Sequence, residues 1–344
     1  MIMARADLLK KLFHSYRNRD EHAFAAAAEE IIEEERRKQH PVVANELEKI
    51  LRNGSAKVSE RQLSAVLEPV PKDPDRKTSL LEVRQPDRYL DDLVLSKVVR
   101  KGIDRVICEF REWDVLEANG LTPIKRLLLC GPPGCGKTAA AEAIASELGL
   151  PMLYVRFDSV ISSLLGETAA NLRKVFDYAT RGQWVMFFDE FDAIGRSRDD
   201  ATEHGEIKRV VNSYLQIMDN FRGRSLVIAA TNFESVLDRA LWRRFDDVLR
   251  LERPTDDQLK TLIRKRIKPL SFQLAQVNLM VKALSGATFS DAEQVCLDLR
   301  KRSAMCGKKS VTETNLEEAL ERFIYRQSIL SKVDASDTPE VDKE

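Results

Sequence analysis

Residues 131–138 read Gly-Pro-Pro-Gly-Cys-Gly-Lys-Thr, and this octapeptide narrows the possible folds more than any other stretch. It fits the pattern Gly-x-x-x-x-Gly-Lys-Ser/Thr. An apolar run, Arg126 to Cys130, precedes it, and the helix-forming AAAEAIASEL follows. Glycines let the backbone curl tightly, so that successive N–H groups turn inward on an anion. The helix after the loop then aims its positive N-terminus at the same point. Strand, glycine loop and helix in that order predict a parallel α/β sheet with the loop at its ligand-binding edge.

The chemistry expected there is phosphate binding. Gly131, Pro132, Pro133, Gly134, Cys135, Gly136, Lys137, Thr138 and Ala139 are the candidate nucleotide-binding residues. Lys137 is suited to the β- and γ-phosphates and Thr138 to Mg²⁺, so ATP and Mg²⁺ are the expected cofactors. Some fifty residues on, Val185-Met-Phe-Phe-Asp189-Glu190 is a buried strand ending in two acids. Behind a phosphate loop, Asp189 is placed to hold the metal and Glu190 to polarise an attacking water. Asn232 follows the apolar run Leu226 to Ala230 and is a candidate for orienting that water, or a plain turn residue. Arg243 and Arg244 are either ordinary surface charge or a pair that stabilises charge on a transferring phosphoryl group. Asp192 reads better as a helix cap than as a further site residue. Cys135, beside the phosphates, is an oxidation liability unless packing buries it.

Five strand-length runs alternate with helical stretches: Arg126–Cys130, Met152–Phe157, Trp184–Phe188, Leu226–Ala230 and Val248–Leu251. They predict a parallel sheet with helices on both faces across residues 87–253. After Pro254 the pattern is all helical, giving a second, smaller unit over residues 254–330. Thr255 with Gln258, Ser290 with Glu293 and Thr314 with Glu317 each match a capping box. Residues 1–52 carry Leu8, Leu9, Leu12, Phe13 and Tyr16, then Phe24, Ala27, Ala28, Ile31 and Ile32, at helical spacing. Val43, Leu47, Ile50 and Leu51 mark a third short helix, and a small bundle is the simplest way to bury all three stripes. Residues 53–86, rich in Pro and charge, read as a linker, and residues 331–344 as a disordered acidic tail.

Composition removes several classes. A formal net charge of +0 over 344 residues provides no global field toward nucleic acid or an anionic membrane. No apolar run approaches the ~20 residues that span a bilayer, and charges interrupt the N-terminus where a secretory signal needs apolar residues. The five cysteines form no Cys-x-x-Cys pair and the four histidines are scattered, so neither a zinc site nor a disulfide framework is indicated. The default compartment is the cytoplasm.

LLLCGPPGCGKT, MFFDEFDAIG, AATN and LDRALWRRF, in this order, resemble the AAA family of AAA+ ATPases, with the core shared by FtsH- and katanin-like enzymes. The similarity covers residues 87–327. It implies a five-stranded parallel sheet with a helical lid, Asn232 as the sensor residue, and Arg243 and Arg244 acting on a neighbouring subunit's site in a hexameric ring. It also implies that Tyr89 to Leu95, with Asp92 and Leu93, lines the adenine pocket. Two positions depart from the family pattern: Thr288 stands where the lid has glycine, and Leu164 where the pore loop has an aromatic. The N-terminal ARADLLKKLF and EEIIEEERRK are similar to short bacterial AAA ATPases associated with phage defence and encoded beside a subtilisin-like serine protease. The resemblance thus implies an ATPase that remodels or unfolds a protein client, with a separate serine protease as possible partner. The alternatives are a nucleic-acid motor or loader, which net charge and Ala292 disfavour, and a nucleotide-gated assembly switch.

Overall fold

The computed structural model describes residues 8, 10–12, 14–15, 21–37, 69–74, 77–156, 160, 165–191, 213–232, 242–268, 270–307 and 309–336. The third N-terminal helix, the pore-loop position Leu164, and Asp192 lie outside these residues, as do Leu9, Phe13 and Tyr16. The chain divides into two compact units, Met1–Glu68 with Glu147–Leu150, and Pro69–Ser146 with Pro151–Glu344.

In the first unit, helix α1 spans Glu21–Arg37. Ala27 and Ile32 are buried on one face, with Phe24, Ala28 and Ile31 half-buried beside them, as the helical spacing predicts. Lys11 and Glu30 form an exposed ion pair at 3.4 Å, of the kind that adds little stability.

The second unit is built on a six-stranded sheet. Its strands are β1 (Leu81–Arg84), β2 (Arg126–Cys130), β3 (Met152–Val155), β4 (Val185–Phe188), β5 (Leu226–Thr231) and β6 (Asp247–Arg250), in the order β1-β3-β4-β5-β2-β6. The five strands expected from the sequence are mutually parallel. Their central residues are buried on both faces, which is why they read as unbroken apolar runs rather than alternations. Leu127, Leu128 and Leu129 are each fully buried, worth roughly 1.5–3 kcal/mol apiece.

Two expected boundaries need correction. The linker expected to run to about residue 86 contributes β1, which pairs antiparallel with β3, with Glu82 opposite Tyr154. A four-residue strand with two charged side chains carries almost no apolar signal, because its backbone does the pairing. Asp73, in the same stretch, is buried and accepts a 2.8 Å hydrogen bond from the buried Asn171 amide. At the other end, the tail expected from residue 331 is helical as far as Ser336.

The strands are joined by α2 (Lys97–Arg111), α3 (Trp113–Ala118), α4 (Lys137–Leu148) and α5 (Leu165–Ala179). Beyond β6 come α6 (Asp256–Ile267), α7 (Leu274–Ala283), α8 (Phe289–Met305) and α9 (Glu313–Ser336). These four have a core of their own, including Leu262, Ile263, Met280, Val295, Leu299 and Leu316. Thr255 caps α6 through a capping box with Gln258, as expected. The cap of α8, however, is Thr288 with Asp291 and not Ser290 with Glu293. At α9 the hydroxyl that accepts from a first-turn N–H belongs to Thr312, not Thr314. In both cases the first hydroxyl residue met on entering the helix wins, since the cap must sit outside the first helical turn.

Candidate active site

Strand order brings the candidate residues together. β5 lies between β4 and β2, so the tips carrying Asp189, Asn232 and the glycine loop are neighbours at the carboxyl edge. The loop's backbone has positive φ at Gly131, Gly134 and Gly136, and at the first two space is also short. Gly131 has φ 135, and a side chain there would reach within 2.0 Å of the Leu251 carbonyl oxygen at the end of β6. Gly134 has φ 72, and a Cβ would stand 2.7 Å from Thr288 Oγ1. Only glycine satisfies both the left-handed backbone and the close approach.

Lys137 is buried at the start of α4. Its ammonium donates to the carbonyls of Gly131 (2.8 Å) and Pro132 (2.9 Å) and to Asn232 Oδ1 (2.6 Å). Those three acceptors satisfy a buried cation that would otherwise carry a large desolvation cost. Thr138 Oγ1 donates to Asp189 Oδ2 at 3.2 Å. Tyr154 donates to the same oxygen, also at 3.2 Å. The other oxygen of Asp189 accepts the Glu190 N–H at 3.0 Å. Glu190 is exposed and has φ 50, a conformation rare for a residue with a side chain and typical of constrained functional positions.

These groups face a cavity of about 350 Å³. Of the predicted residues, Pro133, Gly134, Cys135, Gly136, Lys137, Thr138 and Ala139 line it, as do Asp92, Leu93, Asp189, Glu190 and Asn232. Gly131 and Pro132 contribute their carbonyls to Lys137 rather than a wall of the cavity. Leu90–Asp92 forms one tight helical turn, whose N-terminal residue Tyr89 donates its N–H to Asp92 at 3.1 Å. Arg243 and Arg244 do not line the cavity. Both are exposed, and Arg244 pairs with Asp219 at 3.0 Å.

The lid adds Leu262, Arg266, Phe289, Ser290 and Glu293 to the lining, residues that carry no nucleotide-binding motif in the sequence. Ser290 N–H donates to the Gly134 carbonyl at 3.1 Å, tying the start of α8 to the loop. Arg266 donates through Nε and Nη2 to Glu293 Oε1 at 2.9 and 2.6 Å. Arg88, from the segment before Tyr89, also lines the cavity and lies 3.7 Å from Glu142.

Two ionisations are displaced. Burial, then the neighbouring Asp189 carboxylate, pushes the Tyr154 phenol up to about 12, so it stays a donor at neutral pH. Burial also pushes the Cys135 thiol up, against the opposing pull of Lys137 and Arg253. With only 2% of its surface exposed, Cys135 is therefore held away from the reactive thiolate form.

The donor set suits one kind of ion. A hydroxyl and a carboxylate 3.2 Å apart are hard oxygen ligands, the type Mg²⁺ takes alongside substrate phosphates. Among the described residues no group of three or more His, Cys, Asp or Glu could hold a metal by itself. Nor is any helix among them long and apolar enough to cross a membrane.

Comparison with known proteins agrees with this geometry. Residues 127–253 match the family described as "ATPase family associated with various cellular activities (AAA)". The chain is 41% identical over 328 residues to a protein of Sinorhizobium fredii named as an AAA family ATPase, covering 95% of this chain and 97% of that one. It is 29% identical over 269 residues to a proteasome-activating nucleotidase of Methanococcus vannielii, covering 76% of this chain and 66% of that one. It is 31% identical over 268 residues to an ATP-dependent zinc metalloprotease, FtsH 3, of Sphaerobacter thermophilus, covering 75% of this chain and 54% of that enzyme. The chain thus spans about half the length of the metalloprotease.

Proposed function

Because this chain belongs to the AAA family of ATPases, we propose that it is a hexameric ring ATPase that spends ATP on remodelling or unfolding a protein client. The observation that carries the reading is that two hydrogen-bonded pairs, Lys137 with Asn232 and Thr138 with Asp189, line one cavity. Lys137 would leave its three oxygen acceptors for the β- and γ-phosphates. Thr138 and Asp189 would hold Mg²⁺, which, when bound, supplies charge neutralisation at the phosphates. Glu190 takes the proton of the water whose oxygen attacks the γ-phosphorus, while the bond to the bridging oxygen breaks and ADP leaves. Asn232 orients that water. Asp92 and Leu93 flank the adenine.

Arg243 and Arg244 are assigned to the neighbouring subunit's site. Their exposure, and their absence from the lining of their own cavity, support that assignment. Arg244 would have to leave Asp219 to act there. The protein-client reading is supported by the names of the relatives, one activating a proteasome and another combining an ATPase with a metalloprotease. A separate serine protease in phage defence, in the cytoplasm, is the finer reading supported by the N-terminal resemblance.

The test is Glu190→Gln in the purified full chain. ATP turnover should fall by on the order of 10²–10⁴-fold, while native mass measurement with ATP finds a hexamer and affinity capture retains a protein client. Intact turnover would overturn the role of Glu190. A monomer with ATP and no captured partner would overturn the ring and the remodelling reading.

A further inference from the structure

The hydrogen bond from Tyr154 to Asp189 is not required by the phosphate loop, and it reaches the site from a different part of the sheet. Tyr154 lies on β3, in register with Phe187 of β4. Paired residues of neighbouring strands share a face, so Tyr154 and Phe187 lie side by side, and Asp189 follows directly after the end of β4. The two rings pack with centroids 5.7 Å apart, and the phenol extends past Phe187 to Asp189 Oδ2 at 3.2 Å. On its far side the Tyr154 ring is covered by the Arg84 guanidinium, 3.7 Å from the ring centroid. Arg84 belongs to β1 and is held by Glu82 at 2.8 Å, the residue paired with Tyr154 across the two strands. An unbroken series of contacts therefore runs Glu82, Arg84, Tyr154, Asp189.

We propose that Tyr154 is a positioning residue for the metal-holding carboxylate of Asp189, with its ring fixed by Arg84 of the antiparallel edge strand. This rests on the reading of Asp189 as a Mg²⁺ ligand. Asp189 Oδ2 has two donors, Thr138 and Tyr154. When the Thr138 hydroxyl turns to a metal, Tyr154 is the donor that keeps the carboxylate from rotating. Groups behind a metal ligand act in this way, setting its orientation without touching the ion. The cation over the ring favours one ring position, so the stretch before residue 87 acts on the site through Arg84.

Tyr154→Phe removes the hydroxyl and keeps both ring contacts, so the variant is expected to melt with the parent. ADP affinity in excess chelator should be unchanged, whereas the Mg²⁺ concentration that half-saturates tight ADP binding should rise about tenfold. Turnover should show the same shift in Mg²⁺ dependence, with KM for ATP at saturating Mg²⁺ near the parent. Arg84→Ala should move Mg²⁺ dependence in the same direction by less, and Arg84→Lys should restore it. Asp189→Asn serves as the reference. If Asp189→Asn abolishes the Mg²⁺ effect on ADP binding while Tyr154→Phe and Arg84→Ala leave it at the parent value, the Tyr154 proposal is overturned and the site reading stands. If Asp189→Asn itself leaves the Mg²⁺ effect intact, the reading of the metal ligands falls, and the positioning role falls with it.

Discussion

The two walls of the nucleotide cavity are built by different means. On the sheet side, Asp189 and Asn232 stand at the tips of strands buried on both faces, and Lys137 and Thr138 open the helix that follows the glycine loop after β2. Their mutual distances are fixed by strand registers such as Cys130 opposite Thr231. On the lid side, Leu262, Phe289 and Ser290 belong to helices packed around a separate core. That body meets the phosphate loop through the Ser290–Gly134 hydrogen bond and the packing of Thr288 against Gly134. The sheet side therefore holds the candidate catalytic groups, and the lid side adds Leu262, Phe289 and Ser290 to the lining of the same cavity.

Substitutions on the two sides should differ in kind as well as size. The largest effect is expected on the sheet side. Lys137→Ala removes the ammonium from the phosphates and should lower ATP turnover by on the order of 10²–10³-fold, without a matching loss of thermal stability. Turnover near the parent in a steady-state assay would break the division drawn above. An intermediate effect is expected from Leu299→Ala in the lid core. Leu299 is fully buried, and its truncation should cost about 2–5 kcal/mol in denaturant unfolding. ATP binding should weaken, while turnover at saturating ATP stays close to the parent. Equal losses in both would mean that the lid also takes part in the chemistry. The smallest effect is expected from Thr288→Ala, which removes the α8 cap and should cost about 1 kcal/mol. Its hydroxyl also packs against Gly134, so nucleotide affinity should fall slightly more than stability alone accounts for. A calorimetric titration beside a melting curve separates the two.

The five parallel strands were legible because a doubly covered strand leaves an uninterrupted apolar run, and the glycine loop because its backbone admits little but glycine. Asp189 and Asn232 were legible as polar residues ending such runs. β1 was not, since Leu-Glu-Val-Arg pairs through its backbone and sits among prolines. Tyr154 escaped notice because its partner is 35 residues away along the chain, and only strand pairing brings them together. Thr288 was read as a departure from a family glycine, which obscured its role as a helix cap. Glu293, expected to complete a capping box, instead binds Arg266 across the lid. Composition near Pro86 and Lys332 pointed to unstructured chain, yet pairing at one end and helix continuation at the other extended the ordered part in both directions.

β1 has a further consequence, one that concerns the handling of the protein as much as its chemistry. Without it, β3 would be the outermost strand, with a row of unpaired N–H and C=O groups flanked by the buried Met152, Leu153 and Val155. Such an edge invites pairing with another chain. β1 covers it, and presents Glu82 and Arg84 in its place, charges that discourage strand addition. A fragment begun at residue 87, where composition draws the boundary, would carry the bare edge into solution. One begun at Pro69 would keep it sealed, so the solubility of an isolated ATPase fragment depends on eighteen residues that contain none of its nucleotide-binding motifs.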